Sequence, residues 1–413
     1  MRARAPPLRH SIAYVALIIY FAFTLIPETL MPRLAPSVAP ARKEAAFVVQ
    51  ARAAVERGAP LKVAPLEVRG LPNNMASPVA AGLQSTANAA SPAAAQPATM
   101  APPAEAAGLA ALQSTTAAAC ATCGALHALP PAPGGSWAPR GNGSTLRKYI
   151  DLSLSDTIAG YMNFPTHAAF AVITRAQRDA GVVGAVGEIG VHHGRSFILA
   201  ALLSSPAEPL WALDLFSTLQ HLNRDGSGSG DENALRINMA RVGLDIAQAT
   251  TVAMSSLDLK ADYFCKAGIP KFRWFSVDGG HTEEATRRDI HAGACHLAEG
   301  GVIAVDDMFN NLFLGVTEGV FNFMSLNRAR LAPFFMITGK IYFTTPSHHE
   351  RYYAAAMDFF VSRYGAYTDV KKTVIAGWHV VSHSVPVHAD IESRPDKAER
   401  LAQEFSEILG FPV

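Results

Sequence analysis

Acidic residues and a histidine directly follow two apolar runs in the second half of the chain. Asp278 and His281 lie in VDGGH after FRWFS, and Asp306 and Asp307 follow GGVIAV. If these runs form neighbouring parallel strands, their carboxyl ends meet at the edge where open α/β sheets bind ligands. Three carboxylates and an imidazole at that edge suit two kinds of chemistry. One is a hard divalent cation bound through oxygens, and the other is a general base held by a carboxylate.

A glycine-containing turn follows an earlier apolar run. In VGEIGVHHGRSF, Glu188, Gly190 and Gly194 have the spacing E-x-G-x-x-x-G before a helical stretch. Glycines there let the backbone turn tightly and approach a ligand. The pattern departs from the dinucleotide fingerprint G-x-G-x-x-G, and a carboxylate such as Glu188 would repel a pyrophosphate but accept hydrogen bonds from a cationic amino-acid head group. Asp214 ends the next run, LWALD, where an acid can accept ribose hydroxyls, so the pair predicts a nucleoside site.

A sheet is needed to bring these residues together. From Thr145 onward, runs of strand length alternate with amphipathic stretches of helical period. This alternation predicts right-handed crossovers and a mostly parallel sheet covered by helices on both faces. The predicted strands are 183–189, 210–215, 250–254, 273–277, 302–305 and 340–344, and the predicted helices are 196–203, 233–242, 283–297 and 397–409. The Gly/Ser-rich stretch 220–234 follows the Asp214 strand, a position that predicts a lid over the ligand.

The front of the chain has a different composition. The 413 residues are 49% hydrophobic, but a Pro/Ala-rich tract over 31–144 supplies much of that fraction with side chains that bury little area. Such a tract cannot offset its ordering entropy, so we predict a disordered stem. We therefore divide the chain into a basic tail and anchor (1–30), the stem (31–144), a catalytic domain (145–387) and a helical tail (388–413).

The first 30 residues carry a targeting signal. Arg2, Arg4 and Arg9 precede the apolar run 12–26, which predicts an uncleaved signal anchor whose basic end stays cytoplasmic. The protein would then be a single-pass membrane protein with a lumenal catalytic domain of the Golgi or ER type. A cleaved signal peptide with secretion and a plastid transit peptide remain alternatives.

The net charge is +1, and the sequence shows no basic domain or stripe. Both observations argue against nucleic acid as a partner. The oligomeric state is left open.

Four motifs in order, EIGVHHG, the ALD strand end, SVDGGHTEE and GGVIAVDDMFN, resemble the class I S-adenosylmethionine-dependent methyltransferases. The closest group carries D-G-x-H on its fourth strand and G-G-x-x-x-x-D-D on its fifth, and the resemblance covers roughly residues 152–364. It implies an α/β fold with a Rossmann-like, doubly wound, mostly parallel sheet of seven strands, here preceded by the transmembrane anchor and the disordered stem.

The resemblance also implies roles for individual residues. The cofactor positions for S-adenosyl-L-methionine would be Glu188, Gly190, Gly194, Asp214, Ser255 and Ser256. The first three would line its methionine and ribose portion, the fourth would hold the ribose hydroxyls, and the serines would lie near adenine.

The remaining positions concern catalysis. His281 matches a candidate base and would act with Asp278, whereas Asp278, Asp306 and Asp307 match the positions where metal-dependent relatives hold a divalent cation such as Mg²⁺. Some relatives keep only a subset of these acids and use no metal, so metal use stays open.

The expected function is therefore O-methylation of a hydroxyl on a sugar, a glycan or a small molecule. Two alternatives remain. Lumenal glycosyltransferases share the layout of basic tail, anchor and stem, and Asp306 and Asp307 could imitate their metal-binding acids, but EIGVHHG is then unexplained. An inactive methyltransferase-like binding domain would have broken cofactor positions, whereas these are present.

Overall fold

The computed structural model describes residues 138–413 apart from 261, 328, 338, 365–369 and 384–392. The predicted anchor and all but the last residues of the predicted stem lie outside this range, so both stay predictions. Within the described residues, no helix combines the length and the apolar character that a membrane span requires.

The centre of the fold is a nine-stranded sheet with the order β3-β2-β1-β4-β5-β7-β6-β9-β8. The strands are β1 Ala185–Ile189, β2 Leu210–Asp214, β3 Ala249–Ala253, β4 Phe272–Val277, β5 Leu297–Val305, β6 Ala332–Ile337, β7 Lys340–Thr344, β8 Val370–Ile375 and β9 Trp378–His383. Strands β3, β2, β1, β4 and β5 are parallel to one another, which places their carboxyl ends at one edge.

The prediction of a mostly parallel, seven-stranded sheet is corrected in the second half of the fold. Strand β7 lies antiparallel between β5 and β6, and β8 and β9 form an antiparallel hairpin, so the sheet is mixed. Strand β6 is an unbroken apolar run that the alternation of strands and helices did not reveal. The hairpin turns at Ala376 and Gly377, which both have positive φ, the backbone of a two-residue hairpin turn.

Eight helices of at least two turns accompany the described part of the sheet. They are α1 Gly143–Leu154, α2 Phe164–Asp179, α3 Arg195–Leu202, α4 Glu232–Arg241, α5 Glu283–Cys295, α6 Leu314–Asn327, α7 His349–Ala356 and α8 Lys397–Leu409. Shorter helical segments are Phe216–Leu219, Gln220–Leu222, Ile246–Gln248, Ser256–Asp258, Tyr263–Lys266, Pro346–His348, Met357–Val361 and Ser362–Tyr364.

Polar side chains begin several of these helices. Asn142 accepts a hydrogen bond from the Thr145 amide before α1, and Thr282 accepts one from the Ala285 amide before α5. These caps satisfy amides that have no partner inside the helix. The α5 cap, Thr282, lies directly after His281, so it fixes the position of His281 relative to the start of α5.

The two faces of the sheet carry separate cores because strand side chains alternate. Val186 and Ala212 pack into the core under α1, α2, α3, α7 and α8, whereas Trp211 and Leu213 pack into the core under α5 and α6. Covering both faces buries the central strands β1, β2 and β4 along their length, so a ligand can reach them at their ends.

The C-terminal helix α8 packs on α1 and α2. Leu401, Phe405 and Leu409 recur at i, i+4 and i+8, and all three are buried. Arg175 of α2 also donates to the carbonyl oxygen of Ile408 at 3.0 Å. This burial attaches the tail to the same body as the sheet.

Candidate active site

A cleft of about 1470 Å³ lies at the carboxyl ends of β1, β2, β4 and β5. Ligand pockets usually measure roughly 300–1,000 Å³. The cleft therefore has room for a nucleoside cofactor together with a second molecule.

The two glycines of the turn after β1 have different surroundings, and only Gly190 lines the cleft. Gly190 has a φ of +82°, lines the cleft, and leaves no space for a side chain, because a Cβ there would overlap the carbonyl oxygen of Asp278. Gly194 has a φ of +91° at the start of α3, and a Cβ there would overlap Leu235 of α4. Gly190 thus allows close approach at the cleft, whereas Gly194 allows α3 and α4 to pack.

Asp214 lies at the end of β2 with its carboxylate in the cleft. Oδ2 accepts a hydrogen bond from the His192 amide at 2.8 Å, and Oδ1 accepts one from the Phe216 amide at 2.8 Å. Each carboxylate oxygen has two lone pairs. The side chain is therefore fixed and can still accept hydrogen bonds from a diol.

The two serines after β3 also line the cleft. Ser256 donates from Oγ to Oδ2 of Asp289 at 3.0 Å. Burial raises the pKa of Asp289, on α5, to about 7. Ser255 and Ser256 thus form the wall next to β3, and Asp289, which the sequence did not single out, holds one of them.

Glu188 is placed differently from its expected role. Its side chain is buried, it is not among the residues that line the cleft, and Oε1 accepts a hydrogen bond from Ser196 at 2.6 Å. Burial raises the pKa of Glu188 to about 7. The structure thus places this carboxylate beneath the site, and a contact with a cofactor head group stays a prediction.

Asp278 directly follows β4 and Asp306 directly follows β5, and the backbone hydrogen bonds between neighbouring strands continue through both residues. The Asp278 amide donates to the Ile189 carbonyl at 2.9 Å, and the Asp306 amide donates to the Val277 carbonyl at 3.0 Å. Both side chains line the cleft. The strand-end prediction is therefore met in position for both acids.

His281 lies between two carboxylates. Its Nδ1 is 3.0 Å from Oδ2 of Asp225, its Nε2 is 2.9 Å from Oδ2 of Asp307, and its ring stacks on Phe313 with centroids 3.9 Å apart. The Asp225 oxygen also accepts the His281 amide at 2.8 Å. The ring is therefore held in orientation on both edges and on one face.

Electrostatics favour the protonated imidazole. Burial lowers the pKa of His281, but the hydrogen bonds and charges of Asp307 and Asp225 outweigh it, so its pKa is raised. Burial acts in the opposite sense on Asp225, but hydrogen bonds from Ser227 and His281 lower the pKa of that carboxyl to about 2. The trio can hold a proton on His281 with an anion on either side.

Asp307 is positioned by an unusual backbone conformation. Its φ is +59°, a region in which a non-glycine residue is rare. Its Oδ1 accepts a hydrogen bond from Asn310 at 2.6 Å, and its pKa is lowered because hydrogen bonds from His281 and Asn310 outweigh its burial. The turn after β5 thus directs Asp307 to His281, while Asp306 points elsewhere.

Asp306 forms an ion pair with a lysine. Oδ2 is 2.7 Å from Nζ of Lys340, whose side chain is buried. The antiparallel register pairs Val305 with Ile341, so the next residue of each strand, Asp306 and Lys340, lie opposite each other.

This ion pair affects the protonation of its neighbours. Burial lowers the pKa of Lys340, but the charges of Asp306 and Asp278 raise it more, so its pKa is raised. Burial and the adjacent charge of Asp306 raise the pKa of Asp278 well above its ordinary value. Lys340 is therefore charged, and Asp278 binds a proton more readily than an ordinary aspartate does.

The set Asp278, Asp306 and Asp307 does not fit a divalent cation in this geometry. Ligand atoms of Asp278, His281 and Asp307 lie within 4.8 Å of one another, but Asp306 is not part of that group. Asp306 faces an ammonium, and His281 Nε2 already faces Asp307.

Sequence reasoning missed three site residues. Asp225 was noted only as part of a polar loop, although an acid within a Gly/Ser-rich stretch after β2 can reach the same edge. Lys340 is a charge at the start of the otherwise apolar run KIYFT. Phe313 gave no signal, because its contact with His281 depends on the turn between β5 and α6.

Residues 188–308 match the family model of a methyltransferase domain. The match starts at Glu188 and ends just after Asp307, so it includes the first three motifs and all but the last two residues of the fourth. The resemblance to methyltransferases stated for the sequence is therefore confirmed over this region.

Several solved structures are similar to this chain at low sequence identity. The O-methyltransferase NovP is 15% identical, over 49% of this chain and 99% of its own, with a TM-score of 0.39. CalS11, a TDP-rhamnose 3′-O-methyltransferase of calicheamicin biosynthesis, is 16% identical over 49% of this chain and 93% of its own, with a TM-score of 0.33. An O-methyltransferase from Bacillus cereus in complex with SAH is 17% identical over 48% and 88%, with a TM-score of 0.32. None of the curated proteins matches the chain at a significant level.

Proposed function

We propose that this protein is an S-adenosylmethionine-dependent O-methyltransferase that acts on a hydroxyl of a sugar, a glycan or another small molecule. One observation carries the proposal. A single cleft contains Asp214 and the Gly190 turn on one side and His281, between two carboxylates, on the other. A nucleoside cofactor and a proton acceptor can therefore work in the same space.

The residues of the β1–β3 side fit the cofactor. Gly190 has no space for a side chain against Asp278, and Asp214 keeps unused lone pairs. Gly190, Asp214, Ser255 and Ser256 would hold the cofactor from this side. When bound, S-adenosylmethionine would supply a methyl group on a sulfonium sulfur. The acceptor oxygen would take the methyl group by in-line attack, and the sulfur of S-adenosylhomocysteine would be the leaving atom.

The residues of the β4–β5 side handle the proton. During methyl transfer, the acceptor hydroxyl would give its proton to Nε2 of neutral His281, which requires Asp307 to leave that nitrogen. Asp225 would stabilise the resulting imidazolium through Nδ1. Asp278, whose pKa is raised, is a second group that can hold a proton nearby.

The acceptor meets an apolar rim. Tyr161 and Leu312 line the cleft, and their exposed fractions are 93% and 78%. Isolated exposed apolar side chains are common, but these two border the cleft that contains His281. They support an acceptor that presents an apolar face next to its hydroxyl.

The test is calorimetric titration of the full chain with S-adenosylhomocysteine. We expect one site per chain and loss of most of its heat in Asp214→Asn, because an amide keeps the shape but replaces an acceptor oxygen with a donor. Asp245→Asn is the matched control, since Asp245 is exposed and caps a short helix away from the cleft. Absence of binding in the unmodified protein at high micromolar ligand would refute the proposal.

A further inference from the structure

A lysine occupies the position opposite Asp306 at the cleft edge. Lys340 is 3% exposed, and its Nζ lies 2.7 Å from Oδ2 of Asp306. The side chain has little freedom to leave, because β7 lies between β5 and β6 and pairs with both. The Lys340 ammonium is therefore part of the buried structure of the site, unlike the ammonium of an exposed ion pair.

The positive charge of Lys340 interacts with several acids. Asp278 acts electrostatically on Lys340, and Lys340 acts in turn on the buried Glu188. Glu188 has a buried oxygen, Oε2, without a hydrogen-bond partner. Grouped carboxylates in a dry site repel one another, and a cation among them offsets that repulsion.

We propose that Lys340 is the resident cation of this site: its ammonium stands where a divalent ion would bind Asp306 and Asp278, keeps such ions out, and fixes the Asp306 carboxylate. The function of Lys340 is positional, since it acts through Asp306. This inference concerns the site assigned in the proposed function, but it does not depend on which acceptor is methylated.

Charge and geometry support exclusion of a metal ion. A divalent cation at the Asp306 oxygens would lie next to a fixed positive charge in a partly desolvated site, where repulsion is weakly screened. The ammonium is a compact donor that can satisfy more than one carboxylate oxygen. Replacing Lys340 by an uncharged side chain of similar length should therefore leave a group of carboxylates with affinity for a hard divalent ion.

Binding of Mn²⁺ to the full chain tests the proposal, with free Mn²⁺ read from its electron paramagnetic resonance signal. We expect no Asp306-dependent binding in the unmodified protein and binding at least about tenfold tighter in Lys340→Met, since removal of the ammonium removes the repulsion. The double variant Lys340→Met/Asp306→Asn should lose this binding, and Lys340→Arg should still exclude the ion. Lys371→Met is the matched control, because Lys371 is exposed on β8.

Each outcome decides the proposal. Stoichiometric Mn²⁺ binding by the unmodified protein that is lost in Asp306→Asn would overturn it. So would a folded Lys340→Met that binds no Mn²⁺, because Lys340 would then be a structural ion pair only. If Lys340→Met does not fold, the comparison of the unmodified protein with Asp306→Asn still decides whether a metal ion uses Asp306. Titration of the same samples with S-adenosylhomocysteine separates failure of this inference from failure of the proposed function.

Discussion

At the scale of single residues, the site depends on which partner each acid takes. Asp306 and Asp307 are adjacent in sequence, but the positive φ of Asp307 turns the two side chains apart. Asp306 pairs with Lys340, and Asp307 pairs with His281. The DD motif therefore serves two separate groups, one that balances charge and one that orients the imidazole.

The pH dependence of methyl transfer should report His281. Its pKa is raised above the ordinary value of about 6.5, and the neutral ring is the base, so kcat/KM should fall as pH decreases through that raised pKa. His281→Gln should lower kcat by roughly 10²–10⁴-fold and remove this acidic limb. The measurement is a pH–rate profile with His379→Gln, an exposed histidine of β9, as control.

The neighbouring aspartate gives the same experiment a second arm. Asp225→Asn removes one of the two charges that raise the pKa of His281, so the acidic limb should move to lower pH. A limb that stays unchanged in both variants would show that another group controls it. The free energy of unfolding should depend on pH in the opposite sense to activity. The His281 ion pairs stabilise the fold fully below a pH of about 6.5, and this stabilisation is lost as the pH rises through the folded-state pKa of His281.

At the scale of elements, the loop between β2 and α4 completes both sides of the cleft. Asp225 reaches His281, while Gly230 lies so close to Asp214 that a Cβ would overlap its carboxylate. The turn is fixed internally, because Oδ1 of Asp225 accepts the Ser227 amide at 2.9 Å. The loop predicted as a lid thus contributes a partner to His281 and packs against Asp214.

Substitution of this loop should affect cofactor binding through Asp214. Gly230→Ala should weaken binding of S-adenosylhomocysteine by roughly tenfold or more, because either the loop or the carboxylate must move, and tenfold corresponds to about 1.4 kcal/mol. Gly226→Ala is the control in the same loop: its φ is positive, so the alanine strains the loop backbone, but no atom lies near its Cβ. Calorimetry of the two variants gives the comparison, and equal affinities would contradict the role of close packing at Gly230.

At the scale of the whole molecule, a buried ion pair ties the sheet to the loop before β2. Arg273 of β4 donates from Nε to Oε1 of Glu208 at 2.7 Å, and both side chains are 2% exposed. Gln177 of α2 accepts from Arg273 at 2.7 Å, and Glu208 also accepts the amides of Gly184 and Ser205. This network joins β1, β2, β4 and α2 at the end of the sheet opposite the cleft.

Removal of one partner should destabilise the fold without altering the cleft. Glu208→Ala leaves the Arg273 guanidinium buried without its anion, which costs about 3–5 kcal/mol in comparable cases. Denaturant unfolding followed by tryptophan fluorescence measures the loss, and Glu350→Ala, with a side chain 83% exposed, is the control. A loss below about 1 kcal/mol would mean that water or another group replaces the carboxylate.

Much of the parallel half could be read from the sequence because its strands are short, mostly apolar runs that end near an acid, a serine or a glycine turn. Strand β7 was predicted at its observed bounds, Lys340–Thr344, and helix α8 at Lys397–Leu409. The antiparallel half was harder, since β6 pairs with β9, which lies far along the chain. The apolar pattern of a strand indicates which of its faces is buried, but not which distant strand it pairs with.

By itself, the sequence determined the methyltransferase type of the domain and the edge of the sheet at which Asp214, Asp278, His281, Asp306 and Asp307 lie, because strand ends and glycine turns are local features. Only the tertiary structure decided their partners. Lys340 meets Asp306 through an antiparallel register, Asp225 reaches His281 from a loop more than 50 residues away, and Glu188 turns beneath the cleft. Charge pairing depends on distances of a few ångströms, and packing of remote segments sets those distances.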